Sequence, residues 1–232
     1  MRLSLLLLAL LGFLGCTLST GVWAFDSVSA YTLPQNLPPQ LLPPPPAENS
    51  EAWQKQITAV LQAQQHLSQD DLAAIKDEQH LRLELMTAPL GPAFTRKNLP
   101  QTFHLLDRVM ASAEGVSEAD KKFWHTRRPY LTDSRIHLYI DPIDKSPAYP
   151  SGHTSTSRVL AEVLGLLLPE KRTELRAHAE SIARHRVEAG AHYPNDLDGG
   201  RAVAMLVVGS LTANEDFQDD LEAAREEIEI RP

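Results

Sequence analysis

From Asn49 onward, apolar residues return every three or four positions, the spacing of one helix face. Trp53, Ile57, Val60 and Leu61 follow Ser50, whose hydroxyl suits an N-cap. "SQDDLAAIKDEQHLRLELM" (68–86) reads as a second helix, opened by Ser68, with Leu72, Ile75, Leu81 and Leu85 on one stripe. Phe103, Leu106, Val109 and Met110 predict a third helix over "PQTFHLLDRVMASAEGVS". Residues 117–127 predict a short fourth, ended by Pro129, and Pro142, Pro147 and Pro150 mark 131–150 as a loop. "STSRVLAEVLGLLL" is helical up to Pro169, and "PEKRTELRAHAESIARHRVEAG" runs from that proline to Gly190. "NDLDGGRAVAMLVVGSLTAN" follows, its apolar Ala202–Ala213 run suited to a buried core helix. The acidic "EDFQDDLEAAREEIEIRP" reads as a solvated amphipathic helix. Strand-like alternation is nearly absent and no segment repeats. The pattern predicts an all-α single domain, a helical bundle, over 49–232.

Before Asn49 the pattern is different. Arg2, an apolar run from Leu3 to Leu14 and Val22-Trp23-Ala24 have the order of an export signal over 1–24. The run is too short for a comfortable membrane span, and no later one reaches that length. The lone Cys16 falls in this segment, so a chain cut after Ala24 has no cysteine and no disulfide. Phe13-Leu14-Gly15-Cys16 offers a second outcome, a lipid anchor at Cys16. Both readings place the protein in the periplasm or outside the cell. Residues 25–48 are proline-rich and favour polyproline II, as a tether or as a strap over the domain.

Charge narrows the partners. With 22 Lys and Arg against 30 Asp and Glu, the 232-residue chain carries a formal net charge of −8. A nucleic-acid binder usually shows a basic surface, so none is expected as partner. A small basic pocket is still allowed, and the sequence holds its parts in three segments. "KKFWHTRRP" (121–129) supplies Lys121 and Arg128, "PSGH" (150–153) supplies Ser151, Gly152 and His153, and "RVEAGAHYPND" (186–196) supplies Arg186, His192 and Asp196.

Each of these residues taken alone has a bland reading, as a surface charge, a turn or a structural histidine. Together they have a chemistry. One lysine and two arginines around one point require an anion, and the arginine fork fits phosphoryl oxygens. The start of a helix at Ser151 and Gly152 leaves N–H donors without intrahelical acceptors, and glycine lets an anion approach. Asp196 lies one helical turn after His192, so it can fix the tautomer and leave one ring nitrogen as a nucleophile. His153 is then the proton donor to a leaving alkoxide. The set reads as a phosphomonoesterase with no cofactor and no metal, its charge stabilisation supplied by the cations.

The order Lys-x6-Arg-Pro, Pro-Ser-Gly-His, Arg-x5-His-x3-Asp resembles the type 2 phosphatidic acid phosphatase superfamily, which also holds the vanadium haloperoxidases. Within it, "LLPPPPA" (41–47), "YPSGHTS" (149–155) and "GAHYPNDLDGGR" (190–201) are most like the class A bacterial non-specific acid phosphatases. The resemblance implies the helical bundle of that superfamily and an exported enzyme. It implies attack by His192 to form a phosphohistidine, protonation by His153, orientation of His192 by Asp196, and phosphate binding by Lys121, Arg128, Ser151, Gly152 and Arg186. Small phosphomonoesters are the implied substrates, and homo-oligomers are known among such relatives. One position departs: His185 stands where the superfamily usually has serine.

His185, His125 and Tyr130 are further candidates for the pocket. Arg127 is the alternative to Arg128, which the spacing favours. Asp133, Asp141 and Asp144 read as solvated or capping residues rather than metal ligands. His66, His80, His104, His137 and His178 show no partner spacing and read as structural or surface residues. The competing functions are a vanadate-dependent haloperoxidase, a peripheral lipid phosphate phosphatase and a non-catalytic phosphate binder.

Overall fold

The computed structural model describes residues 29–33, 39–143 and 146–230. The signal segment, Cys16 and Asp144 lie outside these. The described residues form eight α-helices and short 3-10 turns, with no strand. No helix among them is long and apolar enough to cross a membrane.

Helix α1 (Glu51–Ala63) begins where expected, with Ser50 accepting from the Trp53 N–H. Ser68 likewise opens α2 (Gln69–Asp77), in a capping box with Asp71. The single helix expected over 68–86 is instead two: α2 stops at Asp77 and α3 spans Leu83–Thr87. The break has long-range causes. The Glu78 carboxylate bonds His185, its carbonyl bonds His153, and the Gln79 amide bonds Asp141. These ties draw the backbone away from the helical path.

The opposite correction applies next. The two helices expected over 100–117 and 117–127 are one 25-residue helix, α4 (Pro100–Trp124). Nothing in between breaks it, because the Ser112 and Ser117 hydroxyls fold back onto the Arg108 and Ala113 carbonyls. Its buried face runs unbroken from Phe103 to Lys121. The helix ends at His125, which adopts the left-handed conformation (φ 50°) that glycine more often fills.

Helix α5 (Gly152–Leu167) is the centre of the bundle, packed on α4, on α6 (Arg172–Glu188) and on α7 (Pro194–Thr212). Its first turns bury Thr154 to Ser157, and its later turns bury Val159, Leu160, Val163 and Leu164. The Ala202–Ala213 run is a core helix on one face only. Val203, Ala204, Val207 and Leu211 are buried, while Met205 is 78% exposed. Helix α8 (Glu215–Ile230) packs on α4 through Phe217, Leu221 and Ala224. Its Glu227 carboxylate accepts from the N–H groups of Gln101 (3.1 Å) and Thr102 (2.9 Å), capping α4, whose own N-cap residue Leu99 has no side-chain bond.

The described parts of the proline-rich segment lie on the domain as a strap. Leu42 is buried, the Pro43 carbonyl accepts from the Tyr149 hydroxyl (2.5 Å), and Glu48 pairs with Arg127. Upstream, Tyr31 is buried against Phe217, with Arg108 stacked 3.9 Å from its ring centroid.

Close approach of α7 to the start of α5 depends on Gly200. A Cβ there would lie 2.7 Å from the Ser151 carbonyl oxygen and 2.8 Å from Thr154 Cβ. Gly200→Ala should therefore destabilise the fold by about 1–3 kcal/mol in urea unfolding. Gly209, on the same helix, has open space around it, and Gly209→Ala should stabilise by about 0.5–1 kcal/mol in the same measurement.

Candidate active site

Lys121 stands on the last turn of α4, and Arg128 follows the turn at His125. Ser151 is the N-cap of α5, and Gly152 and His153 form its first turn. Arg186 is near the end of α6, where Gly190 (φ 74°) reverses the chain and returns His192 beside it. The N–H groups of Ala191 and His192 both donate to the Arg186 carbonyl (3.1 and 3.2 Å). Pro194 opens α7, which places Asp196 in its first turn. The three segments that stood apart in sequence thus meet at one point.

That point is a cavity of about 320 Å³ lined by Lys121, Arg128, Gly152, His153, Arg186 and His192, with Gln79, His80, Ser146 and the loop 140–143 around them. A second lobe of about 400 Å³ adjoins it, sharing Lys121, Gly152, His153, Gln79 and His80. Arg128, Arg186, His192 and Asp196 each expose 3% or less of their surface.

The bonds within the site fix its protonation. Arg128 Nη1 lies 3.1 Å from His192 Nε2. A guanidinium only donates, so Nε2 accepts and the ring hydrogen sits on Nδ1. That Nδ1–H faces Asp196 Oδ2 at 3.2 Å, and Oδ2 also accepts the Tyr193 N–H at 2.9 Å. The lone pair of Nε2 therefore points among the cations. Arg128 is held by the carbonyls of Ser146 (2.9 Å), Ala191 (3.0 Å) and Pro147 (3.2 Å). Lys121 Nζ bonds Glu118 (2.8 Å) and reaches Ser146 Oγ at 3.4 Å. Arg186 differs, because its Nε and Nη1 are buried with no hydrogen-bond partner. Unpaired buried guanidinium donors are costly, and an anion is the group that would satisfy them.

Electrostatics agree with an anion site. Burial, then the Arg128 charge, brings the Arg186 guanidinium down to about 10. Burial also lowers Lys121 and Arg128. His192 is held well below the usual imidazole range by burial and by Arg128, Arg186 and Lys121. His153 is held low by burial and by Arg186. Burial pushes the Asp196 carboxyl up to about 7, against the Tyr193 N–H and the charges of Arg128 and Lys121.

Not every candidate faces the cavity. Ser151 lies behind it: its N–H donates to the Asp196 carbonyl (2.9 Å), and its hydroxyl caps Thr154. The free first-turn donors are therefore those of Gly152 and His153. A Cβ on Gly152 would sit 3.5 Å from Lys121 Nζ, in the space between the ammonium and the helix start. His125 lines a separate cavity with Trp53, Trp124 and Tyr193. Tyr130 packs beside Ile57 and Tyr193 and donates to the Ile143 carbonyl. His185 is turned toward Glu78. Arg127 pairs with Glu48 on the strap. Asp133 pairs with Arg135. Among the described residues no cluster of His, Cys, Asp and Glu has the make-up of a metal site.

Other residues enter the site that spacing did not mark. His80 and Asp141, read as structural and as solvated or capping, both line the cavity, as does Gln79. The Gln79 side chain donates to Asp141 Oδ2 (2.7 Å) and accepts from the Asp141 N–H (2.8 Å), clipping two loops together at the cavity. Only the fold brings residues 79 and 141 together.

Residues 107–217 match the PAP2 superfamily, and all three motifs fall within them. The non-specific acid phosphatase of Salmonella typhi is 27% identical over 197 residues, covering 81% of this chain and 78% of that protein. The non-specific acid phosphatase of Salmonella typhimurium matches to the same extent. The acid phosphatase of Zymomonas mobilis is 29% identical over 134 residues, 56% of this chain and 51% of that protein. These similarities bear out the resemblance drawn from the motifs.

A bound dianion would offset the cation charges that, after burial, hold His153 down, so its affinity for protons rises on binding. Sulfate, which does not itself titrate near neutrality, should bind near pH 6 with proton uptake. Its affinity should fall as pH rises. Calorimetry in buffers of different ionisation enthalpy measures both, and pH-independent binding without proton uptake is the contrary result.

Proposed function

We infer that the chain is an acid phosphatase, a hydrolase of phosphomonoesters, and propose that it works through a phosphohistidine on His192. The unpaired donors of buried Arg186, set with Lys121 and Arg128 around His192 Nε2, carry this reading. The names of the similar proteins supply the reaction class.

A phosphoryl group in the cavity takes its oxygens to Lys121, Arg128, Arg186 and the N–H groups at the start of α5. Three cations and oriented backbone donors hold the charge of a phosphoryl transition state without reorganising. The low proton affinity of His192 keeps Nε2 unprotonated in acid, where the enzyme is to work. Nε2 attacks phosphorus, the bond to the ester oxygen breaks, and His153 gives that oxygen a proton. Asp196 Oδ2 accepts the Nδ1–H of His192 and so orients the ring with Nε2 toward phosphorus. Water then attacks the phosphohistidine, with His153 taking its proton, and phosphate leaves. Burial, then Arg186 and Lys121, depress His153, and a bound dianion offsets the two cations, so His153 gains the proton it gives once substrate is present.

The substrate range is that of small phosphomonoesters. The export signal read over 1–24 supports a periplasmic or secreted enzyme, with residues 25–48 as a proline-rich segment before the domain over 49–232. Ser151 acts through the backbone by holding the start of α5 against Asp196.

Purified protein should hydrolyse p-nitrophenyl phosphate at pH 5–6 and keep its rate in excess chelator. His192→Ala should lose at least about 10³-fold in kcat. Enzyme quenched in alkaline denaturant, where a phosphohistidine survives, should carry phosphate on His192 in an amount that rises in His153→Ala, where water attack lacks its base. Full activity in His192→Ala, or activity abolished by chelator, contradicts the mechanism.

A further inference from the structure

Glu78 makes two contacts with two histidines. Its carbonyl oxygen is 3.0 Å from His153 Nε2. A carbonyl only accepts, so Nε2 carries the hydrogen and the lone pair of the neutral ring lies on Nδ1. The proton that His153 gives a leaving oxygen must then come from Nδ1. The ring begins as an imidazolium, the ester P–O bond breaks, the Nδ1 proton passes to the departing oxygen, and the neutral ring keeps its Nε2–H on Glu78.

The side chain of Glu78 faces the other way. Oε2 is 2.7 Å from His185 Nδ1, both side chains buried between α2 and α6. The guanidinium of Arg184 meets His185 Nε2 at 3.1 Å. An arginine only donates, so Nε2 accepts and Nδ1–H donates to the carboxylate. His185 immediately precedes Arg186 on α6. One residue therefore ties the ring of His153 to the helix that carries a phosphate-binding arginine. Next to it, Gln79 is clipped to Asp141.

We propose that Glu78 is a positioning residue for His153: its carboxylate, anchored on His185, sets the carbonyl that aims the ring and fixes which nitrogen is free to donate. This rests on the phosphatase reading and goes beyond it. It also gives His185 a role outside the cavity, as the anchor of that carboxylate.

A misaimed acid hurts only substrates that need one. Esters of p-nitrophenol leave without much help, whereas alkyl esters such as glycerol 2-phosphate leave as alkoxides and require the proton. In Glu78→Ala, kcat/KM for the alkyl ester should fall on the order of 10- to 100-fold, and that for the aryl ester by less than about threefold. The loss should lie in kcat. His185→Ala cuts the tether from the α6 side and should give the same selective loss. Glu78→Gln, whose amide oxygen can still accept from His185 Nδ1–H, should recover most of the alkyl-ester rate. Parallel losses on both esters, or no loss on either, overturn the proposal. If Glu78→Ala does not fold, the His185→Ala profile decides. A wild-type protein inactive on both esters would overturn the phosphatase reading itself.

Discussion

Mutual repulsion among Lys121, Arg128 and Arg186, held together out of water, is the constraint that the rest of the structure has to meet. Each ion removed from water costs several kcal/mol before like charges are counted. Arg128 offsets its share with three carbonyls and Lys121 with Glu118, while two donors of Arg186 remain unpaired. Such a cluster persists only on rigid supports. The three residues come from α4, the turn after it and α6, and both helices pack on the buried α5. The site stores an electrostatic demand that a phosphoryl dianion answers.

Backbone bonds join the segments where side chains do the chemistry. The Ser151 N–H reaches the Asp196 carbonyl, linking the start of α5 to the start of α7. Arg128 reaches the Ala191 carbonyl, one residue before the histidine it also contacts. The Ala148 N–H donates to the Thr126 carbonyl, fastening the loop before α5 to the end of α4. His192, the cations and the helix start are therefore fixed relative to each other, in two of these links by backbone groups that side-chain substitution leaves in place.

Much of this was legible in the chain. The helical class follows from 3–4 spacing, and the caps at Ser50 and Ser68 were visible because they act within four residues. The three motifs marked residues that the fold gathers around one cavity. What escaped was non-local. Helical periodicity runs through Glu78 and Gln79, yet contacts to residues 153, 185 and 141 break the helix there. Conversely, residues 112–117 look like a weak join, yet serine hydroxyls turned inward let α4 run on. His80 and Asp141 carry no spacing signal, since two loops far apart in sequence deliver them to the cavity. His185 was visible as a departure, but its partner was not.

The cap on α4 bears on the order of events during synthesis. Gln101 and its acceptor Glu227 are 126 residues apart, and the acceptor is on the last helix. A chain emerging from the ribosome therefore displays the first turn of α4 long before anything can cap it. The helix that carries Lys121 is secured at its far end only once Glu227 has been made. The helix under the cation cluster is in this way capped by a residue made after all three of the cluster's cations.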